Sequence, residues 1–313
     1  MPKLRHTTRP VTLTALAFAA SLLQIAPAEA NPIATWDFDG NLHSNDNNPA
    51  YDLTLGGNAT LVPSPWGMAA QFHGGTYPIT DQSTFSNPSM DRLDTAGQWN
   101  NSSFNGGLTV MGWVNAASTT AGAILGHDSS SFSLNDFGFQ LTFGPYIELL
   151  VRDNNDNRSL AIANSTPLSA NQWYHVAATW AGGNSDNFVI YVNGQAVASS
   201  VNHIGSFAGL NGANALPLRI GADLGNSLQD AKSFNGMIDH LSLYSGAITP
   251  DQVAADYAAT AIPVPVPEPA TTAAMTAGGL GLIVALELAR NRGRSRRQKG
   301  IEGIQSPCAT TTA

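Results

Sequence analysis

Short runs that alternate apolar and polar residues recur along the middle of the chain, where helical spacing is almost absent. A period of two puts successive side chains on opposite faces of an extended strand, so this pattern cannot build a helical bundle. Strands are predicted at IATWDF (33–38), GMAAQFH (67–73), GLTVMGWVN (107–115), FGFQLTF (137–143), YIELLVRD (146–153), QWYHVAATWAG (172–182), NFVIYVNG (187–194), PLRIGAD (217–223) and GMIDHLSLY (236–244). Gly, Asn, Asp and Ser fill the gaps between them. Asn193-Gly194, between Val189/Tyr191 and Ala196/Ala198, suits a type I′ hairpin turn, which needs positive φ at both central residues. Many strands at hairpin spacing with no helices between them predict an all-β, antiparallel two-sheet sandwich.

One helix is expected at the end of this region. Thr249, Pro250, Asp251 and Gln252 supply an N-cap hydroxyl, a proline at the first helical position, an acid in the first turn and a capping-box Gln. The helix should run to about Ala259. IPVPVPEP (262–269) cannot continue it and reads as an extended linker.

The two ends have a different character. Lys3, Arg5 and Arg9, the apolar stretch Val11–Ala26 and the small-x-small step Ala28-Glu29-Ala30 predict a secretory signal peptide over residues 1–30. The alternative, an N-terminal membrane helix, fits poorly because the apolar run is short and lacks a basic stop-transfer flank. Residues 270–289 carry a single charge, Glu287, and are followed by Arg290, Arg292, Arg294, Arg296, Arg297 and Lys299. At about 1.5 Å per residue, such a helix spans the roughly 30 Å hydrocarbon core. The arginines would stay cytoplasmic, leaving residues 31–265 outside, with the folded domain over 31–260, and 290–313 as a basic inner tail.

Size and charge bound the exported part. Its roughly 235 residues suit one large β domain. Residues 31–265 hold eighteen acidic residues, of which Glu148 alone is a glutamate, against Arg92, Arg152, Arg158, Arg219 and Lys232, a net of −13. Such a domain repels phosphates, so nucleic acid is excluded as a partner. Cys308 is the only cysteine, so the domain has no disulfide and must hold together by its core.

Two resemblances follow from these residues. Val266-Pro267-Glu268-Pro269, the apolar stretch and the cluster beginning Arg290, Arg292, Arg294 resemble the PEP-CTERM sorting signal of Gram-negative bacteria. That resemblance implies recognition by an exosortase, a membrane transpeptidase-like enzyme, in species that make exopolysaccharide. If the tail is removed, no membrane helix remains in the mature protein. WDFDG, GLTVMGWVN, NQWYHVAATW, VIYVNGQAVAS, LRIGAD and FNGMIDHLSLYSGAITPDQVAADY, in this order, resemble the laminin-G-like jelly roll of the concanavalin A-like lectin/glucanase superfamily, over residues 32–258. The implied fold has one convex and one concave sheet.

Against that family the chemistry can be weighed. Its glucanases use a pattern close to Glu-x-Asp-x-Glu, and retaining hydrolysis needs two carboxyl groups about 5–5.5 Å apart. The domain has one glutamate and no such motif, so a glycoside hydrolase is disfavoured. His43, His73, His127, His175, His203 and His240 show no zinc-binding spacing. The resemblance implies structural Ca²⁺, held by a last-strand Asp with help from the first strand and a Gly-containing strand. Asp239, with Asp37, Asp39 and Gly75, occupies the matching positions. Strict alternation sets Asp239 beside Met237 and Leu241, where it needs either a cation or a hydrogen bond from a neighbouring loop.

A second candidate is a loop rim carrying Asp128, Asp136, Asp153, Asn155 and Asp156. Its oxygens suit Ca²⁺ or sugar hydroxyls, and equally suit plain turn chemistry. An EF-hand is excluded, because Arg158 stands where the loop glycine belongs and Asn164 where the bidentate Glu belongs. Trp99, in a polar segment, is placed either to stack on a sugar ring or to pack back onto the sandwich. The sequence thus predicts a non-catalytic, exported protein of the bacterial envelope or biofilm matrix. It is expected to bind polysaccharide through a calcium-stabilised domain, to be anchored first by its C-terminal helix and then sorted by exosortase. A structural or adhesive surface protein that contacts other proteins is the alternative.

Overall fold

The computed structural model describes residues 31–261 apart from 79, 81–86, 100–103, 105, 120–121, 128–137, 154, 156, 184–186, 208, 211–216 and 224–230. The expected signal peptide, Pro-rich linker, membrane helix and basic tail lie outside the described residues. Among the described residues no helix is long and apolar enough to cross a membrane.

Two eight-stranded antiparallel sheets face each other. The first contains β1 (Ala34–Trp36), β3 (Thr60–Pro63), β4 (Met68–His73), β7 (Leu108–Ala116), β12 (Trp173–Trp180), β13 (Phe188–Val192), β14 (Gln195–Val197) and β18 (Asn235–Tyr244). Its order is β14-β13-β12-β7-β18-β4-β3, with β1 also on β18. The second contains β2 (Leu53–Gly56), β6 (Arg92–Gln98), β8 (Gly122–Gly126), β9 (Gly138–Phe143), β10 (Ile147–Arg152), β11 (Arg158–Ile162), β15 (Ser200–Ile204) and β16 (Pro217–Ile220). Its order is β15-β11-β10-β9-β8-β16-β6-β2. A two-stranded ribbon joins β5 (Thr76–Tyr77) to β17 (Ala231–Lys232). This is the expected two-sheet sandwich, arranged as in a jelly roll, and all nine predicted strands are present within it.

The core lies between the sheets and holds Trp36, Phe72, Phe104, Phe139, Phe143, Trp180 and Phe234, all buried. In β10, Ile147, Leu149 and Val151 point into it while Glu148, Leu150 and Arg152 face outward, as period two requires. The hairpin between β13 and β14 turns at Asn193 and Gly194 with φ of 50° and 74°, the two positive values of a type I′ turn.

Helix α1 (Pro250–Ala259) has the predicted capping box: the Thr249 hydroxyl accepts from the Gln252 N–H, and the Gln252 side chain accepts from the Thr249 N–H. It packs on the outer face of the first sheet, where Val253 and Ile248 close a second small core over Met111, Ala177, Tyr191 and Tyr244. β7 is therefore buried on both faces, which explains its nearly unbroken apolar run.

In β18 strict alternation fails at Asp239. The register of β18 against β7 shifts between Asp239 and Ser242, and His240 there has φ of 47°. This β-bulge returns Leu241 to the core with Ile238 and leaves Asp239 on the outer face. Opposite it stands Gly112, where a Cβ would approach the carbonyl oxygens of Asp239 and His240 to 3.2 Å. β4 pairs with Asn235–Ile238 before the bulge and β1 with Leu241–Leu243 after it, so the bulge divides one strand between two neighbours.

Candidate functional site

The outer face of the second sheet carries one unbroken row of paired residues: Thr54, Asp94, Arg219, Gly126, Gln140, Leu150, Leu160 and Asn202. Over its β9–β10–β11–β15 half lies a groove of about 300 Å³, lined by these last four residues with Thr142, Glu148, Arg158 and Ile204. Leu150 and Leu160 sit directly opposite each other and form the floor. Gln140 and Asn202 flank this floor with amides that both donate and accept. Ile204, on the edge strand β15, is 53% exposed, unusual for a large apolar side chain.

The groove is electrically polarised. Glu148 stands at one end beside Thr142, opposite Ile162, and Arg158 lies four residues further along β11. That separation is about 13 Å at 3.3 Å per strand residue. Burial pushes the Glu148 carboxyl above the usual carboxylate range, and a hydrogen bond from Thr142 offsets part of the rise. Arg158 has no ion-pair or hydrogen-bond partner among the described residues, whereas Arg92 and Arg219 share Asp94 at 2.8 Å and 2.7 Å. Buried Arg152 stands directly opposite Arg158 on β10, and Arg158 is the groove-lining cation at this end. Among the described residues no second carboxylate lines the groove beside Glu148.

Of the predicted loop rim, Asp153 and Asn155 are described. Arg152 pairs with Arg158, so Asp153 and Asn155 follow the strands at the Arg158 end of the groove. Asp128, Asp136 and Asp156 lie outside the described residues. Asp153 is buried and closes its own turn, its carboxylate accepting from the N–H groups of Asn155 and Asn157 and from the Asn157 amide at 2.9–3.1 Å. Asn155 is exposed.

Trp99 is corrected by the structure. It is 6% exposed, stacks on Tyr51 at 4.6 Å, and its indole N–H donates to the Thr95 hydroxyl at 2.9 Å. The polar flanks of Trp99 suggested a surface loop, but the ring is a core element and has no face left for a sugar.

The Asp239 neighbourhood lies on the opposite side of the sandwich. Asp239 is fully buried, and its carboxylate accepts from the Ser64 hydroxyl at 2.7 Å and the His240 N–H at 2.8 Å. The His240 ring Nδ1 lies 3.1 Å from the same carboxylate. Asp37 and Asp39 are close enough to act on His240, but Asp37 accepts from the Asp39 N–H and the Asn45 amide, and Asp39 from the Met68 N–H. Gly75 is elsewhere: β4 separates it from this cluster, and it sits against Tyr77. Calcium takes six to eight oxygen ligands, and among the described residues no group of three or more acidic, histidine or cysteine side chains could hold a metal ion. The structure thus brings Asp239 into the neighbourhood of Asp37 and Asp39 and leaves Gly75 apart from them. Ser64 and His240 supply the partners that buried Asp239 needs.

An aromatic cluster covers this region. Trp66 lies 4.7 Å from Trp113, 5.2 Å from Trp173 and 5.5 Å from His240. Trp36 and Trp180 belong to the core between the sheets, whereas Trp113 and Trp173 belong to this outer cluster.

The family model described as the concanavalin A-like lectin/glucanases superfamily, of laminin-G type, matches residues 91–254, more than half of the chain. The chain belongs to that superfamily. Among solved structures, domain 4 of AbnA, a GH43 extracellular arabinanase from Geobacillus stearothermophilus in complex with arabinotriose, is 20% identical with a TM-score of 0.50. That alignment covers 73% of this chain and 98% of the domain. The botulinum neurotoxin serotype G binding domain is 14% identical with a TM-score of 0.50, and the alignment covers 73% of this chain and 51% of the toxin domain. These likenesses establish the fold. No curated protein sequence matches the chain. Within the superfamily fold, the groove residues other than Glu148 escaped the sequence reading because IELLVR looks like one apolar run. Its period-two component, with Glu148, Leu150 and Arg152 outward, was the available signal.

Proposed function

We propose that this is an exported, non-catalytic glycan-binding protein of the bacterial envelope or matrix, and that the groove on the second sheet is its binding site. The observation that carries this reading is the groove's lining: an apolar Leu150–Leu160 floor for the C–H face of a sugar, edged by Gln140, Thr142, Glu148 and Asn202 for its hydroxyls. The binding of arabinotriose named for the AbnA domain agrees with it. A binding role is preferred to hydrolysis because Glu148 has Thr142 and Ile162 as its cross-strand neighbours, and a retaining glycosidase needs a second carboxyl about 5–5.5 Å away. Sorting by exosortase is proposed on the VPEP motif, apolar stretch and arginine cluster alone.

The test is retention of the full-length chain on exopolysaccharide from the producing cells, with calcium and with EDTA, beside Leu160→Asp. Retention that Leu160→Asp abolishes, with circular dichroism unchanged, supports the reading. No retention of the wild-type chain overturns it. One observation favours the second reading, a protein-contacting surface protein: Leu150, Leu160 and 53%-exposed Ile204 form an apolar patch beside the open edge strand β15. Loss of retention would turn the search to protein partners.

A further inference from the structure

We infer that the groove selects a glycan bearing sparse anionic substituents, such as uronate carboxylates on a neutral backbone, and seats the anion at Arg158. This rests on the glycan-binding reading of the groove. The domain has five basic residues against eighteen acidic ones, so an uncommitted cation is scarce in it. Two of the five, Arg92 and Arg219, are tied to Asp94. Arg158 has no partner among the described residues and projects from the outer face into the groove.

Its cross-strand neighbour is another arginine, Arg152. The residue facing Arg158 across the ladder is thus not an acid that could neutralise it. The nearest described acid, Asp153, already accepts three hydrogen bonds within its own turn. A guanidinium offers a planar fork matched to a carboxylate.

Glu148 gives the site a direction. It lines the same groove about 13 Å from Arg158 along the strands, and it disfavours an anion at its own end while accepting from sugar hydroxyls. The net charge of −13 repels a polymer charged on every residue. The occupant is therefore sparsely anionic, with a neutral sugar at Glu148 and a carboxylate at Arg158.

The experiment compares binding of the full-length chain to glucuronoxylan, to the same polymer with its carboxylates reduced to alcohols, and to polygalacturonate. Native glucuronoxylan should bind about tenfold more tightly than the reduced form, the scale of one charge-assisted hydrogen bond. Polygalacturonate should bind worst. Arg158→Gln should bring the native polymer down to the reduced one, while Glu148→Gln keeps the preference. Equal binding of native and reduced polymer overturns the inference and leaves glycan binding standing, as does a preference that survives Arg158→Gln. Binding to none of the polymers overturns both.

Discussion

Asp239 and His240 are consecutive residues whose side chains meet, Nδ1 of the imidazole lying 3.1 Å from the carboxylate, because a positive φ at His240 folds the chain back on itself. The hydrogen bond to Asp239 raises the His240 pKa, burial opposes the rise, and the charges of Asp239, Asp37 and Asp39 add to it. A histidine whose pKa is raised on folding contributes stability that is complete below its unfolded value of about 6.5 and is lost as pH rises through the folded value. The melting temperature should therefore fall on passing from mildly acidic to mildly alkaline buffer, and His240→Gln should flatten that part of the profile. A variant profile parallel to the wild type would show that the pair contributes nothing.

The same contact decides the response to calcium. Asp239→Ala leaves the Ser64 hydroxyl and the His240 N–H without their acceptor, a buried loss of about 3 kcal/mol. Because the Ser64 hydroxyl and the His240 N–H already satisfy the carboxylate, urea titrations should give equal losses in calcium and in EDTA. A loss seen only with calcium present would support the expected cation site at Asp239.

Trp99 offers a separation of core from surface. Stacked on Tyr51 and Phe104 with its N–H on Thr95, it should cost about 3–5 kcal/mol as Trp99→Ala. Denaturant unfolding checks this, and a near-neutral result would return Trp99 to the surface.

Where local physics decides a structure, the sequence was readable. The two positive φ values at Asn193-Gly194, the capping box at Thr249 and the alternation of β10 depend on neighbours a few residues away. β6 was missed because RLDTAGQ has one large apolar residue, Leu93, and draws its place from Asp94–Arg219 and from pairing with β2 and β16. The bulge at His240 was missed because an inserted residue shifts period two without leaving a compositional mark. The groove was legible only in part: Glu148 stood out by its rarity, but Arg158 and Leu160 join it through a β10–β11 register that no single strand encodes.

The last prediction concerns the end of α1. The helix has no basic residue in its last turn and buries only Val253, so little in its own sequence holds its C-terminus. Two tryptophans do: the Trp66 indole N–H donates to the Thr260 carbonyl at 2.8 Å, and that of Trp113 to the Thr260 hydroxyl at 2.9 Å. The hydroxyl in turn donates to the Asp256 carbonyl at 2.8 Å, passing the restraint into the last turn. Trp113→Phe keeps an aromatic ring and removes the donor, so it should cost about 1 kcal/mol. The loss should concentrate at the helix end, with faster amide hydrogen exchange at Thr260, whose N–H bonds the Asp256 carbonyl, and little change at Val253. Uniformly faster exchange along α1 would mean that the tryptophans support the whole helix face and do not clamp its end.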